Sequence, residues 1–172
     1  MQVLTNRLTL VPLTQLQFKL LLENPAALAQ SMHWLPSSQS FDQAFEQAMQ
    51  WRYWQGVEHP GDFIWYTNWQ IIHTARRQPV GTACFQGPPA PPDFTVELGY
   101  RIDVPFRRQG YMTEAARTLC HWAITQPSVR AVCARTEEGN YPSEGVLRKC
   151  GMQLQSVQDG IQNWLFFDIF CT

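Results

Sequence analysis

The chain has little charge. Only 16% of its 172 residues are Asp, Glu, Lys or Arg, and thirteen basic side chains stand against fourteen acidic ones, a formal net charge of -1. That balance excludes a protein that holds nucleic acid by neutralising phosphates. Long apolar runs are missing too, none reaching the roughly 18–20 residues that span a bilayer, so no membrane partner is expected. Met1–Arg7 lacks the charged start and apolar stretch of a signal peptide, and a cytoplasmic protein is expected. Paired cysteines are absent: Cys84, Cys120, Cys133, Cys150 and Cys171 are odd in number and form no Cys-x-x-Cys, which favours reduced thiols over disulfides. His33, His59, His73 and His121 show no ligand spacing, and no metal is expected. There is no acidic cluster, because Asp42, Glu46, Glu58 and Asp62 are dispersed, and there is no internal repeat.

What is present is material for one core: 45% hydrophobic residues in a length usual for a single domain, residues 1–172. Arg7–Pro12 alternates as a first strand, Leu13–Leu22 has helical spacing, and a short helix is expected around Ala26–Gln30. Ser40, with Gln43 three residues on, reads as the start of a helix whose apolar stripe is Phe41, Ala44, Phe45, Ala48 and Met49. Phe63–His73 and Pro79–Gln86 read as neighbouring strands, and the proline-rich Gly87–Asp93 as a stiff hairpin excursion. Strand Phe94–Asp103, amphipathic helix Tyr111–Thr125, strand Val129–Ala134 and helix Tyr141–Cys150, ended by Gly151, come next. Strands Met152–Gln158 and Gln162–Ile169 are joined by Asp159-Gly160, a two-residue hairpin signal. The fold class is α/β (α+β): a mixed, mostly antiparallel central sheet of about seven strands flanked by about four helices.

The segment Glu97–Ala115 carries the chemistry. A strand ends, a basic loop with Arg107 and Arg108 follows, and a helix opens at or just after Gly110. The unpaired N–H groups and dipole of a helix start attract phosphate, and a glycine lets the backbone approach it. The same segment is also compatible with an ordinary strand-to-helix turn bearing a solvated arginine pair.

Arg107-x-x-Gly110 resembles the Gln/Arg-x-x-Gly-x-Gly/Ala pyrophosphate loop of the GNAT acetyltransferase superfamily. Thr113-Glu114-Ala115, Glu97-Leu98-Gly99-Tyr100 and Arg7-Leu8-Thr9-Leu10 are similar to segments of its branch that acetylates N-termini of ribosomal proteins, the Rim type. Asn140–Met152 resembles that branch's Asn-x-x-Ser-x-x-Val-Leu-x-Lys-x-Gly-Phe helix without a gap, Met152 replacing the last residue.

The resemblance implies direct acetyl transfer from acetyl-CoA to an amine, with no acyl-enzyme and no metal. It implies that main-chain groups of Ile102, Asp103 and Val104 pair with pantetheine. Arg107, Arg108, Gln109, Gly110, Tyr111, Met112 and Thr113 would hold the pyrophosphate. Asn140 and Ser143 would contact pantetheine or the adenosine phosphate; Asn140 also stands where a helix cap stands. Glu97 is the candidate general base, against the alternative of a strand glutamate paired with an arginine. A main-chain N–H near Leu98–Tyr100 or Ile102 would meet the oxyanion. Many relatives carry a tyrosine as general acid seven residues after the asparagine; here that position is Leu147, leaving Ser143 as candidate and Tyr141 in reserve. Met112 stands where a small residue is usual and is expected to crowd the helix entrance.

The acceptor cleft implied by the resemblance uses the first helices, their loop and the last hairpin. Trp34, Trp51, Trp54, Trp65 and Trp69 fall in that half, either as core packing or as an apolar or cation-binding pocket. Aromatics on both faces of Phe63–Trp69 suggest one face covered by helices and the other by the cleft or a partner. The acceptor stays open between a protein or peptide N-terminus, an amino acid and a small amine, and the assembly between monomer and homodimer. A module that binds acyl-CoA as a sensor without catalysis is the alternative function.

Overall fold

The computed structural model describes residues 1–37 and 41–167. Its centre is an eight-stranded sheet in the order β1-β2-β3-β4-β5-β6-β8-β7. The strands are β1 (Val3–Leu4), β2 (Leu8–Pro12), β3 (Asn68–His73), β4 (Gln78–Phe85), β5 (Thr95–Ile102), β6 (Ala131–Glu137), β7 (Gln153–Gln158) and β8 (Ile161–Phe166). All neighbours are antiparallel except β5 and β6, which run parallel. The count exceeds the expected seven because Val3–Leu4 adds a short edge to β2. Of the last expected strand, residues 168 and 169 lie outside the described residues, as does Cys171.

Helices α5 (Tyr111–Ile124) and α6 (Tyr141–Cys150) cover one face. Leu8, Leu10, Ile71, Val80, Val96 and Leu98 of the sheet meet Ala115, Ala116, Leu119 and Ala123 of α5 and Leu147 of α6 in the main core. Helices α1 (Gln15–Glu23), α2 (Pro25–Ser31) and α3 (Gln43–Glu58) build a second, smaller core from Leu13, Phe18, Leu21, Leu28, Met49 and Tyr53. The observed cap of α3 is Asp42, whose carboxylate accepts from the Phe45 N–H at 2.9 Å; Ser40, the expected cap, lies outside the described residues.

The expected strand Phe63–His73 is corrected at its start. Phe63–Tyr66 forms a helical turn, α4, and β3 begins at Asn68. The turn resolves what a strand leaves unresolved, a run of large apolar side chains on both faces. It sends Trp65 and Ile64 into the main core and Phe63 against the second one. The Thr67 hydroxyl then anchors the chain by donating to the Leu13 carbonyl at 2.7 Å. Trp65 and Trp69 stack edgewise or tilted on Trp122 at centroid distances of 5.4 and 4.7 Å, so these tryptophans are core residues. Trp34 packs on the second core, whereas Trp51 and Trp54 are exposed on α3.

Candidate active site

Strands β5 and β6 are joined only at Thr95–Ala131, Val96–Val132 and Glu97–Cys133. Beyond Glu97 they part: β6 goes on to Glu137 paired with β8, and β5 goes on to Ile102 paired with β4. The sheet is therefore split at its centre, and the β6-facing edge of Leu98–Ile102 has no strand partner among the described residues. A backbone edge of this kind accepts an extended ligand as an added strand.

The split leads into the basic loop. A 3₁₀ turn, Val104–Phe106, carries β5 into exposed Arg107, Arg108 and Gln109. Gly110 follows in the left-handed region (φ +79°) and caps α5 with no side chain bonded to the helix start. The first N–H groups of a helix fourteen residues long are thus left for an anion. Arg7 stands beside them. Its guanidinium pairs with Glu114 at 2.7 Å, donates to the Gln109 carbonyl at 3.0 Å and lies over the Tyr111 ring. Burial alone would raise the Glu114 carboxyl, but hydrogen bonds from Thr5 and Arg7, with the charge of Arg7, hold it below its usual range.

Next to the loop is an open groove of about 500 Å³ lined in part by Gly110, Thr113, Arg117, Thr118 and Lys149. Arg117 stands in no motif of the sequence, and Lys149 only as a matched position of the α6 motif; their mutual approach is revealed by the fold alone. Tyr111 and Met112 are buried in the main core. The expectation that Met112 crowds the helix entrance is thereby corrected: its side chain turns inward, and only its main chain belongs to the loop.

On the other side of the split stands the start of α6. Asn140 caps it by accepting from the Ser143 N–H at 3.3 Å. The Ser143 hydroxyl lies 2.9 Å from the Tyr100 hydroxyl of β5, a contact that ties β5 to the start of α6 across the split. Tyr141 is exposed, and Leu147 is fully buried in the core. Tyr100, which the sequence offered only as part of a motif, is the residue that joins the two elements. Burial pushes its phenol up to about 12, with the Ser143 hydrogen bond opposing the shift.

This phenol makes a prediction. Its folded value lies above its ordinary 10.0, so the stabilising preference for the protonated ring is complete below pH 10 and lost as pH climbs through 12. Urea unfolding at a series of pH values should show the wild type losing roughly 2–3 kcal/mol across that window. Tyr100→Phe should lack that part of the alkaline loss; an identical loss in both proteins would assign it elsewhere.

Glu97 sits at the parting point. Its carboxylate is held by a fork from Arg135, Nε to Oε1 at 3.0 Å and Nη2 to Oε2 at 2.9 Å. The carboxylate in turn holds the Arg135 guanidinium more firmly protonated. The neighbouring Cys133 thiol is pushed up to about 11 by burial and by the Glu97 charge. Ile102 ends β5, Asp103 follows it and Val104 opens the 3₁₀ turn; Asp103 is buried and its N–H donates to the Val80 carbonyl, whereas Val104 is exposed. No group of three or more His, Cys, Asp or Glu able to hold a metal ion occurs among the described residues. Nor, among them, is any helix long and apolar enough to cross a membrane.

A sheet parted at its centre, with an uncapped helix start beside the gap, is a geometry suited to an extended phosphate-bearing ligand. Residues 7–153 match the Acetyltransferase (GNAT) domain family, and the chain belongs to that family. It is 30% identical over 101 residues to the uncharacterized N-acetyltransferase YjdG of Bacillus subtilis (strain 168), a match covering 59% of this chain and 60% of that one. Its fold is similar to that of the ribosomal-protein-S5-alanine acetyltransferase from Vibrio fischeri (TM-score 0.67, 14% identity, 99% of this chain and 98% of that one). It is similar also to RimL, a ribosomal L7/L12 alpha-N-protein acetyltransferase, in complex with coenzyme A (TM-score 0.66, 17% identity, 96% of each chain).

Proposed function

We propose that the protein is an acetyl-CoA-dependent N-acetyltransferase that passes acetyl directly to a primary amine, of a small molecule or of a protein or peptide N-terminus. The observation that carries this is the parting of β5 and β6 at Glu97 in line with the uncapped start of α5. The stretch of chain past the β5–β6 parting, toward Ile102–Val104, takes the pantetheine. The loop from Arg107 to Thr113 takes the pyrophosphate, through the two guanidiniums and the α5 N–H groups. Asn140 and Ser143 face the same ligand from α6, and Arg117 and Lys149 supply charge for its remaining phosphate.

In the reaction the amine nitrogen bonds to the thioester carbon while the C–S bond breaks. The amine's proton goes to Glu97, directly or through a water, and the thiolate takes up a proton. Ser143 is the donor nearest that thiolate in this reading, and its bond to Tyr100 fixes its direction; Tyr141, being exposed, is the weaker candidate. The chain is read as a cytoplasmic monomer or homodimer without metal.

Two observations favour a second reading, a binding module that senses acyl-CoA without transfer: Glu97 is already engaged by Arg135, and Leu147 is part of the core. Calorimetry with acetyl-CoA, followed by thiol release over a panel of amines, separates the two. Binding with release supports transfer. Binding with no release on any amine supports the sensor, and absence of binding refutes both.

A further inference from the structure

A cavity of about 190 Å³ lies between α3 and the sheet face opposite α5, over β3, β4 and β5. Its wall includes Arg52 and Ala48 of α3, and its floor Asn68, Thr82, Cys84 and Gly99. Arg52 occupies a core position of its helix, three residues after buried Met49 and four before buried Gly56, and it is only 3% exposed. Its Nε and Nη2 are buried and find no hydrogen-bond partner among the described residues. The same is true of Asn68 Nδ2, whose amide is oriented by the other oxygen contacts: Asn68 Oδ1 accepts from Gln70 Nε2 at 2.7 Å and from the Thr82 hydroxyl at 2.6 Å.

These groups share one chemistry. All three idle atoms are N–H donors, and the residues lining the cavity include two arginines and no carboxylate. The second arginine, Arg101, is engaged by Asp42 at 3.1 Å, whereas Arg52 has no carboxylate partner among the described residues. A buried guanidinium without a counter-charge costs several kcal/mol, so the arrangement is sustained where a ligand completes it. A planar fork of guanidinium donors matches a carboxylate.

The position fits an acceptor. Gly99 is two residues past the last β5–β6 pair, on the stretch of β5 that β6 no longer joins. A Cβ there would stand 3.2 Å from Cys84 Sγ and 3.3 Å from Gln86 Nε2, so the missing side chain keeps the floor open beside the gap. We infer that this cavity takes the carboxylate of the acceptor on Arg52, with Asn68 as a second donor, and that the acceptor is a small amine bearing an acid, of the amino-acid type. The inference rests on the acetyl-transfer reading and adds the class of substrate to it.

The test pairs glycine, L-alanine, L-serine and L-glutamate each with its α-amide, which keeps the amine and removes the anion. Thiol release from acetyl-CoA is measured for wild type, Arg52→Met and Arg52→Lys. The wild type should prefer at least one acid over its amide by at least roughly 100-fold in kcat/KM, as expected of a buried site left unpaired by the wrong analogue. Arg52→Met should reduce that ratio to near unity, with acetyl-CoA affinity and thermal stability kept, and Arg52→Lys should restore part of it. Calorimetry of the same acids and amides in the presence of CoA reads the site without turnover: acid binding that vanishes in Arg52→Met supports it even if no amine is acetylated. Equal use of acids and amides by the wild type, no acid binding, or a Met variant that merely unfolds at lower temperature while keeping the ratio would overturn it. Failure of the acetyl-transfer reading looks different, as loss of acetyl-CoA binding itself.

Discussion

Gly110→Asp is expected to abolish acetyl-CoA binding while leaving the fold intact. Gly110 is exposed and in the left-handed region, which aspartate enters at a cost of about 1 kcal/mol, less than for most residues. An added Cβ would meet only the end of the Arg7 side chain, at 3.4 Å. The new carboxylate acts twice. It can accept from the first N–H groups of α5, which no side chain now caps, and so takes the donors meant for the pyrophosphate. It also places a negative charge a few ångströms from two more. At an effective dielectric near 20 such a pair costs roughly 3–4 kcal/mol at about 4–5 Å, more than a hundredfold in affinity. Gly110→Asn is the control, with the same shape and no charge, and should lose about tenfold or less. Calorimetry decides it: an aspartate variant that binds like the asparagine one, or like wild type, shows that phosphate does not sit on this loop.

What the sequence disclosed and what it hid divide along chain distance. Helix α6 was legible to the residue, Tyr141 to Cys150, because Asn140 caps it and Gly151 (φ +104°) ends it. The β7–β8 turn was legible because Asp159 and Gly160 both adopt positive φ, as a two-residue hairpin requires. The basic loop before α5 was legible for the same local reason. Phe63–Tyr66 was misread because a run of aromatics has no period, and two separate cores decided its shape. Strand β6 was cut short at Ala134 because Arg135 and Glu137 look like loop residues, yet β8 pairs with them. Contacts between distant residues were not legible at all: Glu97 with Arg135, Tyr100 with Ser143, and Arg117 beside Lys149. Arg52 did leave a mark, a charge three residues after Met49 on the apolar stripe of α3. One charge on an amphipathic stripe is not by itself the mark of a site; its burial under α3 shows only in the fold.

The fork between Glu97 and Arg135 makes the second large effect decidable. If Glu97 takes the amine's proton, Glu97→Gln should lower kcat by roughly 10²–10⁴-fold, the usual worth of a general base, with KM for acetyl-CoA little changed. The amide oxygen of glutamine can still accept one bond from Arg135, so β5 and β6 should remain joined at Glu97 and Cys133. Arg135→Met removes the other partner. Arg135 is well exposed, at 61%, and the pair is therefore of the kind that contributes little to stability. A base freed of its guanidinium keeps its task, so Arg135→Met should retain kcat within about tenfold. A carboxylate whose task is to hold Arg135 is only weakened in Glu97→Gln and has nothing to hold in Arg135→Met, and Glu97→Gln should then cost no more than Arg135→Met. Steady-state kinetics of the two variants side by side, with the pH–rate profile of each, separates these roles. A large loss in Glu97→Gln, with the acid limb of the profile gone, beside near-normal turnover in Arg135→Met, assigns the proton transfer to Glu97. Equal small losses with unchanged profiles assign the base to a water reached through the parted strands, and leave Glu97 as the clasp that ends their pairing.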